Sequence, residues 1–162
     1  MATKFEMGMI RGFFLMGVVL IVACETPSTT PPPFVPVGDV QQLMEMVIDP
    51  AADIVWESVG TIVTLDGTEE IFPRSDEEWS TVRNSAMVLA ESGNLLMVGD
   101  RAEGEGPWMI MSQALVEAGM VALEAAEAKD PEAVFAVGEQ IYNACETCHV
   151  LYWYTEEDAV IR

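Results

Sequence analysis

The chain has 162 residues, with 27 acidic against 7 basic side chains and a formal net charge of −20. That length suits one domain whose core needs no disulfide staples, and so large an acidic excess speaks against nucleic acid as a partner, because affinity for phosphate backbones comes largely from Lys and Arg. Anionic lipid heads are repelled for the same reason, and a charged protein partner is expected to be basic; solubility alone would account for the charge equally well.

Residues 1–23 read as a signal peptide: Lys4 and Arg11 precede the uncharged run "GFFLMGVVLIVA", which is well short of the roughly 20 residues a membrane-spanning helix needs. The run ends in "IVAC", Ile21 to Cys24, which resembles the lipobox of bacterial lipoproteins. The resemblance implies a lipidated Cys24 as the mature N-terminus and a periplasmic, membrane-anchored lipoprotein. Two readings compete: an uncleaved membrane anchor, and a buried or accidental cysteine behind an ordinary signal. Loss of residues 1–23 removes Lys4, Arg11 and Glu6, leaving five basic and 26 acidic residues, net −21. Residues 24–38 continue as "CETPSTTPPPFVPVG", which has no apolar period and reads as an extended Pro/Thr-rich tether. In polyproline form the fourteen residues after Cys24 would reach about 40 Å.

The rest, residues 39–162, reads as four helices. From Val40, the positions Met44, Ile48, Ala51, Val55, Val59 and Ile62 recur every three or four residues, as on a helix with one buried face. Asp49-Pro50 interrupts that stripe as a kink or a break. In "TIVTLDGTEEIF", Asp66-Gly67 lies between β-branched and apolar residues and predicts a small hairpin or an extended loop. A second stripe runs through Trp79, Val82, Ala86, Leu89, Gly93 and Leu96, opened by Ser75 with Glu78 three residues on, a capping-box pattern. A third takes Trp108, Met111, Leu115, Ala118, Ala122 and Ala125, behind the breakers of "GDRAEGEGP", with Pro107 in the first turn. Asp130-Pro131 opens the fourth, through Phe135, Gly138, Tyr142, Cys145, His149 and Tyr152. Four amphipathic helices predict an all-α four-helix bundle, with the hairpin between helices 1 and 2.

The last helix carries "YNACETCHVLYW". Cys145, Cys148 and His149 stand three and four residues apart, so all three project from one face of a helix. Cys-x-x-Cys-His is the attachment signature of c-type haem, in which two thioethers hold the macrocycle and the histidine reaches the iron. It predicts one covalently attached haem c, with His149 as the iron's axial ligand. Three other readings compete. A zinc site needs a fourth Cys or His, and His149 is the only histidine in the chain; a thioredoxin-type redox pair needs a βαβ setting and leaves His149 unexplained; the third is a chance grouping.

With its four helices and this motif near the C-terminus, the chain resembles the class II cytochromes c, the cytochrome c-prime family. The resemblance covers Val40 to Tyr154, and only "CETCHVLY" is specific. It implies that Cys145 and Cys148 carry the haem, that His149 is the proximal ligand, and that Tyr152 fills a position often aromatic in the family. Trp153 departs from the family's usual basic residue. Gly138, two turns before Cys145, would admit haem or a neighbouring helix. In the family the first helix covers the distal face, and low-spin members ligate a methionine from it, so the sixth position falls to Met44, to Met46, or to no protein group. A methionine ligand implies an electron carrier with a redox partner; an open position implies a high-spin protein binding nitric oxide or carbon monoxide. Neither is an enzyme. The family's dimers, formed through the first two helices, imply a homodimer.

Overall fold

The first helix, α1 (residues 40–57), opens on Asp39, whose side chain accepts from the Gln42 N–H at 2.8 Å while the Gln42 side chain accepts from the Asp39 N–H at 3.1 Å. The computed structural model describes residues 34–154; the signal peptide, Cys24, the tether up to residue 33 and the segment 155–162 lie outside the described residues. Along α1 the backbone is α-helical over Val40–Leu43, π-helical over Met44–Ile48 and α-helical again over Asp49–Glu57. Pro50 explains the change. It has no N–H for the Met46 carbonyl four residues back, and its ring crowds that carbonyl; the Asp49 N–H bonds instead to the Met44 carbonyl five back. The expected kink or break is thus a widened turn with one extra residue. The buried Leu43 and Ile48 are accordingly five apart, and only beyond them does the three-to-four spacing resume at Ala51, Ala52 and Val55.

The helix stops at Glu57, so Ile62, which its spacing assigned to the helical stripe, stands on a strand and is exposed. β1 (Gly60–Thr64) and β2 (Gly67–Ile71) form the expected hairpin, antiparallel, with Gly60 opposite Ile71 and Thr64 opposite Gly67 across Leu65-Asp66. It is solvated on both faces.

α2 (Asp76–Leu96) starts with the capping box read from the sequence: Glu78 N–H donates to Ser75 Oγ at 3.2 Å, and Ser75 N–H to Glu78 Oε2 at 2.9 Å. All six residues of its expected stripe are buried. A 3-10 turn, Gly99–Arg101, leads to α3 (Pro107–Ala128) and then, through Lys129 in the left-handed region at φ 54°, to α4 (Pro131–Tyr152). α2 packs on α3 and α3 on α4, while α1 lies against α2 and α4. The α2–α3 approach is closest where side chains vanish: a Cβ on Gly93 would come 2.6 Å from the Ser112 carbonyl oxygen, and one on Gly119 2.5 Å from the Ala90 nitrogen. By length and composition α3 could cross a membrane, yet Leu115, Ala118, Gly119 and Ala122 are sealed into the protein core.

α4 corrects the sequence reading. Its buried face is Val134, Val137, Ile141 and Ala144, one residue ahead of the expected stripe, with Phe135 68% and Tyr142 56% exposed. The aliphatic row fills the close-packed interior, and the larger aromatics flank it where there is room. The motif residues consequently lie at the edge of the core.

Candidate functional site

Because α4 is rotated in this way, Cys145, Cys148 and His149 are each half-buried and open onto a cleft of about 270 Å³. Its other walls come from all three remaining helices: Met44 and Ile48 of α1, Leu96 of α2, and Met111, Ser112 and Leu115 of α3. A second, wider cleft of about 620 Å³ shares Met44, Cys148, His149 and Trp153, and adds Val40, Glu103, Trp108 and Tyr152. Met44 and His149 therefore border both.

The last turn of α4 fixes the histidine. The His149 carbonyl accepts from the N–H groups of Trp153 and Tyr154, both at 2.9 Å, and their rings flank the imidazole with centroids at 5.1 and 6.0 Å. Tyr154 is held in turn by its hydroxyl, which donates to Glu146 Oε2 at 3.1 Å. Tyr152 meets the Trp108 ring edge-on at 5.0 Å, and the Trp108 indole N–H donates to the Leu96 carbonyl at 2.8 Å, so the end of α4 is tied to the end of α2.

Burial pushes the Cys145 thiol up to about 11, helped by negative charge at Cys148 and Asp49, and burial also raises Cys148. Neither thiol is the low-pKa nucleophile that a dithiol oxidoreductase requires, and the sheet beside the helices is a solvated hairpin, not a βαβ unit. Among the described residues no group of three or more His, Cys, Asp or Glu side chains could hold a metal ion.

The two candidate methionines separate. Met44 is half-buried at the cleft, whereas Met46 is 73% exposed and faces solvent. Met111, which the sequence reading gave only a packing role, is a second thioether on the cleft wall; its helical period marked it as inward but not which inward surface it meets. Trp56 was missed altogether. It lines the cleft and donates its indole N–H to the Gly138 carbonyl at 3.1 Å, so the small residue at 138 admits a neighbouring helix. Cys24 lies outside the described residues. No family model, curated protein or solved structure matches this chain.

Proposed function

We propose that the chain is an exported monohaem c-type cytochrome, tethered to a membrane through Cys24 in the periplasm and serving as an electron carrier. One observation carries this reading: Cys145, Cys148 and His149 share one face of α4 and line a cleft that Met44 of α1 also lines. The residues present fit a haem. The cleft walls are largely apolar, through Ile48, Ala52, Leu96 and Leu115.

Cys145 and Cys148 would hold the group through thioethers, each made by adding S–H across a vinyl double bond, and His149 and Met44 would ligate the iron. When bound, the haem supplies a reversible one-electron change. The protein's part is to orient and to exclude water. The Trp153 and Tyr154 rings pack against the imidazole, the buried Ile48 and Leu115 line the cleft, and the carboxylates of Glu45, Asp49 and Glu146 beside it favour the more positive, oxidised state.

The gas-binding alternative draws on a different observation: Met44 sits in the π turn, a backbone less regular than the helix around it. The two readings part in one experiment. The full chain, expressed with its export signal in a host that attaches haem, should retain a haem stain and the added mass after denaturation. Its ferric spectrum should be low-spin. A haem-free mass, with a control cytochrome matured in the same cells, would overturn the assignment, and a high-spin spectrum with ready nitric oxide binding would select the alternative.

A further inference from the structure

Three serines are buried among the described residues: Ser85, Ser92 and Ser112. A serine inside a helix can satisfy its hydroxyl by turning it back to the carbonyl four residues earlier, and Ser92 does so, donating to the Val88 carbonyl at 2.6 Å. Ser112 does not. It is only 3% exposed, yet its hydroxyl has no hydrogen-bond partner among the described residues. No polar side-chain atom sealed away from solvent among those residues lacks a partner, so the Ser112 oxygen is reached from the one space this residue lines, the narrower cleft that it shares with Met44 and His149. Ser85 lines neither cleft. A small residue is required at 112, because α2 comes close there at Gly93, but alanine would meet that need and is the better helix former. Packing leaves the hydroxyl unexplained.

The surroundings narrow what it can bond. No Lys or Arg lines either cleft, and the acidic side chains there are Glu45, Asp49, Glu103 and Glu146. The other donors are committed or solvated: the Trp56 indole to Gly138, the Trp108 indole to Leu96 and the Tyr154 hydroxyl to Glu146, while Tyr142 and Trp153 are more than half exposed. Ser112 is the uncommitted donor on the buried part of the cleft. A haem brings few acceptors to meet it. The ring nitrogens are taken by the iron, which leaves the two propionate carboxylates and any oxygen-bearing ligand on the iron; with a thioether as sixth ligand only the propionates remain. A carboxylate in an apolar cleft without a cation needs a donor, and a hydroxyl bonds it strongly.

We propose that in the haem-loaded chain the Ser112 hydroxyl donates to a haem propionate, anchoring the polar edge of the group and raising its reduction potential by drawing on the propionate's negative charge. This rests on the cytochrome reading above and adds to it a residue that the attachment motif does not contain.

The test compares Ser112→Ala with wild type in the full chain, with haem attached and without it. In the haem-free chain the variant should unfold at a urea concentration no lower than wild type, because it loses only an unpartnered hydroxyl; in the haem-loaded chain it should unfold earlier. Equal destabilisation of both forms would overturn the proposal, since the hydroxyl would then serve the protein alone. In the loaded chain Ser112→Ala should shift the one-electron equilibrium about threefold toward the oxidised form, a fall of about 28 mV, and Ser112→Thr, which keeps the hydroxyl, should stay closer to wild type. Infrared redox-difference spectra, with the haem isotope-labelled at its propionate carboxyls, should show a band that the label moves and that Ser112→Ala displaces. A C–O stretch of the ferrous carbon monoxide complex in a Met44→Leu background that shifts with Ser112→Ala, with the propionate band unmoved, would place the hydroxyl at the iron's sixth position and overturn the proposal. A chain that attaches no haem in a competent host discards the cytochrome and this inference together, whereas a haem-loaded chain whose propionate band ignores Ser112→Ala discards this inference alone.

Discussion

The indole of Trp56 donates to the Gly138 carbonyl at 3.1 Å, joining α1 to α4 two turns ahead of Cys145, and a Cβ on Gly138 would stand 3.3 Å from the same ring. The neighbour is a half-buried side chain on an open cleft, so it has room to give. Gly138→Ala should change the unfolding free energy by less than about 1 kcal/mol, because the helix propensity gained is of that size and offsets the displacement. Gly119→Ala should behave differently. There the new Cβ meets the Ala90 backbone at 2.5 and 2.6 Å, which cannot retreat without parting α2 from α3, and the expected loss is about 2 kcal/mol or more. Urea denaturation of both variants checks the contrast; equal effects would mean the seams are equally tight.

The capping box of α2 should be visible in the acid limb of the stability profile. Hydrogen bonds from the backbone N–H groups of Arg74 and Ser75 hold the Glu78 carboxyl below its ordinary value of 4.5. Its contribution is present above that value and is lost as pH falls through the lower, folded one. Glu78→Gln should be less stable than wild type at pH 7, and the two should converge as the solution is acidified below about 4.5. Parallel curves down to pH 2 would show that the carboxylate's charge is immaterial.

Arg101 is the buried cation that ties the entry of α1 to the exit of α2. Arg101→Ala leaves the carbonyls of Gly38 and Leu95 without this donor, at a cost of about 1–3 kcal/mol. Arg101→Lys should restore little, since one ammonium does not reproduce the fork geometry of a guanidinium. Hydrogen exchange near Val40 should quicken in Arg101→Ala, and unchanged exchange there would count against the tie.

The thiols give a pH test of the haem-free chain. With Cys145 raised from 9.0 to about 11, its thiolate fraction at pH 8 is roughly a hundredfold lower than that of an unperturbed thiol, and its alkylation by iodoacetamide should be slower in proportion. The linkage sign is the opposite of that for Glu78. The neutral thiol is favoured in the folded state, so this stabilisation is complete below pH 9 and fades as pH rises toward 11. Fast alkylation of Cys145 in the native protein at pH 8 would contradict its burial.

Much of this fold was legible in the sequence. The stripe of α2, the caps at Ser75 and Asp130, the hairpin and the shared face of Cys145, Cys148 and His149 all follow from spacing and turn chemistry, which are local. What was not legible depended on contacts between elements. Period 3.6 cannot foresee a π turn, so Leu43 was passed over. Nor can it choose between two rows one residue apart on α4, where aliphatic Val134, Val137 and Ile141 displaced Phe135 and Tyr142 from the interior. Trp56 and Met111 reach the cleft only because of how α1 and α3 are turned toward α4.

Met44 is the sharpest test of the site. It is the candidate thioether that borders both clefts beside His149, at the first residue of the π turn, while the neighbouring Leu43 goes into the core. Met46 points to solvent. Leucine matches methionine closely in volume, so Met44→Leu should cost under about 1.5 kcal/mol as packing, and a spectral change would report lost ligation. The expected result is conversion of the ferric haem from low-spin to high-spin, a fall in reduction potential, and new binding of carbon monoxide to the ferrous form. Met46→Leu should leave the spectrum unchanged, and Met111→Leu is the decisive control, since it removes the other thioether lining the same cleft. If Met111→Leu, and not Met44→Leu, gives the high-spin spectrum, the sixth ligand comes from α3. A wild type that is already high-spin would leave Met44 as a lining residue and turn the assignment toward a gas-binding protein.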